Sequence, residues 1–275
     1  PYDLTARDNP ELFGLGEGTD QLDRVRPPGL PFVMSLGDRL FGRQFWSTRL
    51  LNILAMATVC GLTTGYLASR LEVLAGLLSL PIFMLLDTNT RLYSRSILTE
   101  ALAAMLVSLL ALCLIRWQHS QRTKFLILGG VLLGVAWLVR SAFLTWLPVL
   151  LLAIFCESRG NEKTSRWRSG LLKGALFGAL FGLVALPWIV RNLRVNDGQH
   201  PFGIQGSLEL SAGYGDLAWE NRGVWVNLRA NDFFDALDTD ELTFREQETA
   251  QAQYSNTQAV LWIKQNPLKS IALVP

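Results

Sequence analysis

The sequence predicts an all-α, polytopic transmembrane protein, on the evidence of its apolar segments, its loop charges and its composition. Six apolar segments of spanning or near-spanning length follow one another: Leu50–Ala68, Val73–Leu86, Ile97–Ile115, Leu126–Val139, Ala142–Cys156 and Leu171–Val190. A membrane-spanning helix needs about 20 mostly apolar residues. Several segments are shorter, but the repeated pattern and the flanking charges favour spans. In lipid, backbone polar groups must pair within the segment, so the segments are expected to be helices.

Composition agrees with this class. Charged residues make up 17% of the 275 residues, against about 25% in a typical soluble protein. The net charge of +2 is too small to indicate nucleic-acid binding. The three cysteines lie in or beside apolar segments, which suits buried hydrophobic side chains and not disulfides. His119 and His200 lie in loops on opposite predicted sides of the membrane, which excludes a histidine-pair metal site. A hard divalent cation held by carboxylates remains open.

Basic residues in two loops predict the orientation. The loops contain Arg116, Arg122 and Lys124, and then Arg159, Lys163, Arg166, Arg168 and Lys173. The positive-inside rule places both loops in the cytoplasm. Residues 1–46 and 193–275 are then expected outside.

Three regions follow from this topology. Residues 1–49 form an external loop with an interfacial helix from Phe32 to Phe45, residues 50–192 a transmembrane domain of about six helices, and residues 193–275 an external segment that leads to a further span. The external segment is expected to contain a helix from about Glu246 to Lys264, ended by Asn266-Pro267. Because the chain begins with polar residues and becomes apolar again after Ser270, we expect it to be the N-terminal fragment of a longer protein.

Five arginines lie on the side where the positive-inside rule predicts few cations: Arg26, Arg91, Arg95, Arg140 and Arg191. A guanidinium offers a planar fork of donors that suits phosphate. Held between lipid-facing helices, the bound anion would be a lipid phosphate. The alternative is simple anchoring to headgroups, through a rigid proline-rich start of the interfacial helix at Arg26 and through snorkelling at Arg140.

Glu100 and Asn192 complete the predicted substrate-binding set. Glu100 lies at or just inside the outer end of a span, where an acid is costly and indicates function. The alternative is N-terminal helix capping by Thr99 or Glu100, favoured by the helix dipole. Arg91 and Arg95 are the expected partners of Glu100 or of a ligand phosphate. Asn192 follows an arginine at the outer end of the last span.

The order of the motifs resembles the C-type-fold membrane glycosyltransferases, which include the protein O-mannosyltransferases and the bacterial aminoarabinose transferases and use a polyprenyl-phosphate sugar. The matching pieces, in chain order, are Tyr2 with Ala6, Arg26-Pro-Pro-Gly-Leu-Pro31, Arg49-Leu50, Thr99-Glu100, Gly134 with Leu138 and Arg140, Pro187-Trp188 with Arg191-Asn192, Leu208 to Asn221, and Ala259, Ile263 and Asn266-Pro267.

The resemblance implies an inverting transfer of a sugar from a polyprenyl-phosphate donor to an acceptor glycan, lipid or protein, at the outer face of a bacterial inner membrane. It implies no required cofactor, although some relatives use a divalent cation. It also implies a catalytic acid before the tyrosine that matches Tyr2, at a position that falls before Pro1. We therefore expect this fragment alone to be inactive, with Asp3 and Glu100 as the remaining candidates for the general base.

A transporter or flippase of a lipid-linked anion would use the same outer arginines and is the main alternative. Transporters tend to show internal repeats and charges near the bilayer centre. This sequence shows no repeat, and its charges cluster at one face, which favours interfacial chemistry. A purely structural protein is a third alternative.

Overall fold

The computed structural model of the protein describes residues 27–42, 45–70, 73–74, 99–157, 163–195, 198, 200–224, 226, 228, 231–238 and 242–273. Every regular element within these ranges is a helix, and none of them is a strand. The all-α prediction is confirmed.

Contacts divide the described residues into two compact units, residues 27–190 and 191–273. The first unit contains α1 (Gly29–Phe41), α2 (Phe45–Arg70), α3 (Glu100–Ser120), α4 (Thr123–Val139), a 3-10 helix (Ser141–Thr145), α5 (Trp146–Glu157) and most of α6 (Lys163–Val195). The second unit contains the end of α6, α7 (Gln205–Gly213), α8 (Asp216–Glu220), α9 (Phe244–Gln265) and α10 (Pro267–Ala272).

Three of the described helices are long and apolar enough to cross a membrane: Arg49–Arg70 in α2, Glu100–Ser120 and Trp167–Val195 in α6. They coincide with predicted apolar segments that begin at Leu50, Ile97 and Leu171. The chain is therefore an integral membrane protein.

Two further predicted segments are helical but shorter than this criterion. They correspond to Thr123–Val139 and Ser141–Glu157. The second begins as a 3-10 helix, which has tighter turns than an α-helix. Only Arg140 separates this 3-10 helix from the end of α4. The segment predicted over Val73–Leu86 lies outside the described residues, apart from positions 73 and 74. The count of about six spans stays a prediction.

The helix predicted from Phe32 to Phe45 forms, but it ends at Phe41. Gly42 adopts a φ of 78°, which lies outside the helical range and which glycine tolerates. The apolar side of α1 is open, because Phe32 and Leu40 are 69% and 67% exposed while Met34 is buried. Open apolar side chains on a short helix are typical of an interfacial helix.

Glycines on α4 allow close packing against α6. A Cβ on Gly130 would lie 2.7 Å from the carbonyl oxygen of Phe177, and a Cβ on Gly134 would lie 2.8 Å from Cβ of Val184. The two glycines are four residues apart and so share one helix face. Small residues at this spacing let transmembrane helices approach closely. Helix α3 contacts both α4 and α2, so α2, α3, α4 and α6 are linked in one bundle.

The second unit is built around α9. Thr243 and Glu246 form a capping box at its start, and the helix extends to Gln265, close to the predicted end. The Ser211 hydroxyl of α7 donates to the Ser255 carbonyl at 2.5 Å. The Trp262 indole donates to Asp216 Oδ1 of α8 at 2.8 Å. These bonds attach α7 and α8 to one face of α9, at points about two turns apart.

Candidate functional site

An ion pair joins the two helix ends that meet at one end of the first unit. Arg140 Nη1 donates to Glu100 Oε1 at 2.7 Å. Glu100 is the first residue of α3, and Arg140 directly follows the last residue of α4. The two helices are joined by a short turn at Gln121 and Arg122 and run antiparallel, so the start of one meets the end of the other.

The helix dipoles favour both charges where they stand. An acid at a helix N-terminus and a base at a C-terminus are each stabilised, typically by about 0.3–1 kcal/mol. The side chains of Arg140 and Glu100 are 43% and 28% exposed, so the pair is reachable from outside the bundle. A guanidinium has five N–H donors in a fixed fork. The bond to Glu100 uses the donors at Nη1.

The structure places against Glu100 a partner that the sequence did not predict, Arg140. The predicted partners, Arg91 and Arg95, lie outside the described residues, so their pairing stays a prediction. Capping by Thr99 is excluded, because its side chain makes no capping hydrogen bond and lies 3.5 Å from Glu100 Oε2. Glu100 is thus bound to a cation 40 residues away along the chain.

The backbone on both sides of Arg140 is held by hydrogen bonds. The Arg140 amide donates to the Ala136 carbonyl at 2.9 Å, and the Arg140 carbonyl accepts from the Phe143 amide at 3.2 Å. Arg140 itself is extended, with φ −142° and ψ 122°. Phe143 anchors the 3-10 turn in the core, where it is only 9% exposed. The backbone of Arg140 is therefore held in one position, from which its side chain extends.

Gly29, in the proline-rich motif, packs against the residues that directly precede Arg140. A Cβ on Gly29 would lie 2.6 Å from the carbonyl oxygen of Leu138 and 2.7 Å from Cγ2 of Val139. Real Cβ atoms do not approach backbone so closely, so only glycine fits at this position. Sequence reasoning included Gly29 in the motif but assigned it no role of its own. The available signal was a glycine between prolines at the start of a helix.

Arg191 and Asn192 lie in the second unit, near the end of α6. Arg191 Nη1 donates to Asn192 Oδ1 at 3.0 Å, and Asn192 Nδ2 donates to the Pro201 carbonyl at 3.2 Å. The Asn192 side chain is completely buried. Asn192 thus uses its amide to hold Arg191 and the loop at Pro201.

The other predicted site residues lie outside the described part of the chain: Asp3, Arg26, Arg91 and Arg95. Within the described ranges, no group of three or more His, Cys, Asp and Glu side chains could hold a metal ion.

The family model for dolichyl-phosphate-mannose-protein mannosyltransferases matches residues 25–189. This chain belongs to that family. The mannosyltransferase family consists of membrane glycosyltransferases that take their sugar from a polyprenyl-phosphate carrier, in agreement with the resemblance found in the motifs. No curated protein and no solved structure matches the chain.

The family match includes the proline-rich motif, Glu100 and Arg140, and it ends two residues before Arg191. The ion pair and the Gly29 contact thus lie within the part of the chain that defines a mannosyltransferase family member. Arg191 and Asn192 lie beyond it and are supported by the sequence motif and by their own hydrogen bonds.

Proposed function

We propose that this mannosyltransferase family member transfers a sugar from a polyprenyl-phosphate donor to an acceptor glycan, lipid or protein at the outer face of a bacterial inner membrane. The ion pair between Glu100 and Arg140 is the observation that carries the proposal. It provides an oriented, accessible guanidinium at the end of an apolar helix, where the phosphate of a membrane lipid would lie.

The leaving group of this reaction is a lipid phosphate, which gains negative charge as the bond to the sugar breaks. Fixed donors that face developing charge are often the largest contribution to catalysis. We assign this role to Arg140, because its guanidinium is already oriented by Glu100 before the donor arrives. Arg26, Arg91, Arg95 and Arg191 are proposed as further phosphate-binding residues, from their place in the sequence.

The acceptor hydroxyl must lose its proton to a general base, and inversion at the sugar carbon requires attack from the face opposite the phosphate. We propose that the base is an acid preceding Pro1, as the resemblance implies, with Asp3 as the alternative. Glu100 is the weaker candidate, because its carboxylate is engaged by Arg140. Its proposed role is to position Arg140.

The proposed reaction breaks one bond from sugar to phosphate and forms one from sugar to acceptor, with no redox step. It therefore needs no cofactor. A divalent cation would serve only to neutralise the phosphate, as a complement to the arginines.

The test is Arg140→Lys in the full-length protein, with transfer from polyprenyl-phosphate mannose as the readout. Lysine keeps the charge but loses the planar fork. We expect transfer to fall about a hundredfold, the scale of removing one charge-stabilising donor. Arg122→Lys is the matched control, because it lies at the opposite end of α4 and should leave transfer unchanged. Equal activity of both variants would reduce Arg140 to a headgroup anchor.

A further inference from the structure

Helix α10 presents a strongly exposed apolar side. Leu268 and Ile271 are 81% and 70% exposed, and their spacing of three residues places them on one side of the helix. The opposite side faces the unit, because Ser270 is buried there. The Ser270 hydroxyl donates within the helix, to the Asn266 carbonyl at 2.8 Å. Large apolar side chains exposed together on a short helix indicate a surface that contacts a membrane or another protein.

Two contacts bring further exposed apolar residues beside α10. Lys269 Nζ lies 5.2 Å from the centroid of the Trp219 ring, which is 40% exposed. A Cβ on Gly223 would lie 3.6 Å from Cδ2 of Leu273, just past the end of α10. Val224 follows Gly223 and is 67% exposed. Helix α8, the turn after it and α10 thus contribute to one apolar surface.

Charges in the second unit are distributed unevenly along α9. The end next to α10 carries three exposed bases, Arg222, Lys264 and Lys269, and two exposed acids, Asp216 and Glu220. The other half of α9 has exposed acids beside it, Asp232, Asp235, Asp238 and Glu246. Phe233, next to Asp232, packs on Tyr254 of α9 with ring centroids 5.5 Å apart. Tyr254 lies about 15 Å along the helix from Lys264, at a rise of 1.5 Å per residue. The acids near Asp232 are therefore well separated from the basic end.

We propose that α10, together with Trp219 and Val224, docks onto the surface of a membrane that contains anionic phospholipids. Apolar side chains enter the boundary between headgroups and acyl chains, while lysines beside them meet the phosphates. Trp219 with Lys269 over its ring suits the headgroup level, where tryptophan and lysine are favoured. The acids near the other half of α9 are repelled by the same surface, which orients the unit. This inference does not rest on the proposed reaction.

Depth-dependent quenching tests the docking in the full-length protein. Single cysteines replace Leu268 or Ile271 in a background without native cysteines (Cys60→Ala, Cys113→Ala, Cys156→Ser), and each is labelled with a small fluorophore. The protein is reconstituted in vesicles of phosphatidylglycerol and phosphatidylethanolamine that contain a lipid with a nitroxide at a shallow or a deep position. The control is a label at Gln253→Cys, an exposed position in the middle of α9.

We expect a large loss of fluorescence at positions 268 and 271 with the shallow quencher, a smaller loss with the deep quencher, and none at position 253. Quenching no greater than at position 253 would overturn the proposal. Stronger quenching by the deep nitroxide would also overturn it, because the segment would then cross the membrane instead of lying on it.

The charge component has its own test. In vesicles of neutral phosphatidylcholine, the label at position 271 should be quenched less than in vesicles with phosphatidylglycerol. Lys264→Glu combined with Lys269→Glu should abolish this difference, because a reversed charge no longer favours an anionic surface. A difference that survives the double substitution would show that the basic residues do not select the lipid.

Discussion

Gly29 lies so close to Leu138 that a Cβ on the glycine would come within 2.6 Å of the leucine carbonyl oxygen. The contact joins the proline-rich motif to the end of α4, two residues before Arg140. It makes the position of Arg140 depend on a glycine more than a hundred residues earlier in the chain. The first prediction follows from this dependence.

Gly29→Ala should destabilise the protein by about 1–3 kcal/mol, the range for overpacking in a tightly packed site, and should lower transfer by displacing Arg140. A thermal unfolding midpoint in detergent and a transfer assay measure the two effects. Gly61→Ala is the control, because its Cβ would meet nothing within 4 Å on α2, and alanine is favoured over glycine in a helix. Indistinguishable behaviour of the two variants would rule out a structural role for the Gly29 contact.

Substitutions at Glu100 separate a positioning residue from a general base. Glu100→Gln keeps an oxygen that can accept from Arg140 Nη1, so we expect most of the transfer activity to remain. Glu100→Ala removes the acceptor and should reduce transfer strongly. A general base would respond differently, because both variants would then lose about a hundred- to ten-thousand-fold. Rates of transfer from polyprenyl-phosphate mannose at saturating acceptor decide between the two outcomes.

Arg26→Lys and Arg191→Lys should each weaken donor binding while membrane insertion is unchanged. Lysine retains the charge and loses the bidentate geometry, and at Arg191 the bond to Asn192 Oδ1 is lost as well. Binding of a polyprenyl phosphate to the full-length protein measures the effect. Arg222→Lys, an exposed position in the second unit, is the comparison. If all three variants bind like the unmodified protein, these arginines are headgroup anchors.

The predicted orientation can be tested by labelling intact cells. With the native cysteines replaced, Ser165→Cys should be shielded from an impermeant thiol reagent, because the positive-inside rule places residues 157–173 in the cytoplasm. Gln253→Cys should react from outside. Labelling of Ser165→Cys but not of Gln253→Cys would show that the true topology is the inverse of the predicted one. The proposed reaction would then have to take place at the cytoplasmic face.

Local patterns predicted most of the described helices. Apolar segments of sufficient length located α2, α3 and α6, and Asn266-Pro267 indicated where α9 would end. These signals act within a few residues of the feature they determine, so they can be read without knowledge of the fold. The end of α1 was wrong by four residues, because a single glycine with positive φ outweighed the apolar periodicity.

The arrangement of the site could be predicted only in part. Glu100 was identified as a costly acid near a helix end and Arg140 as a base on the side where few cations are predicted, but their pairing depends on how α3 and α4 pack. Nothing local to residue 100 favours a base 40 positions later over Arg91 or Arg95. The Gly29 contact has the same origin, because the need for glycine comes from the backbone of a different helix.

If α4 crosses the membrane, as the sequence predicts, its length has a consequence for the lipid around it. Its 17 residues rise about 26 Å, less than the roughly 30 Å of a hydrocarbon core. Such hydrophobic mismatch is relieved by thinning of the bilayer or by flanking side chains that reach outward. Because Arg140 is tied to Glu100, it has little freedom to reach, and thinning is favoured. Under the proposed function, a carrier lipid diffusing in the leaflet would then meet the guanidinium at the depth of its own phosphate, without being lifted from the membrane.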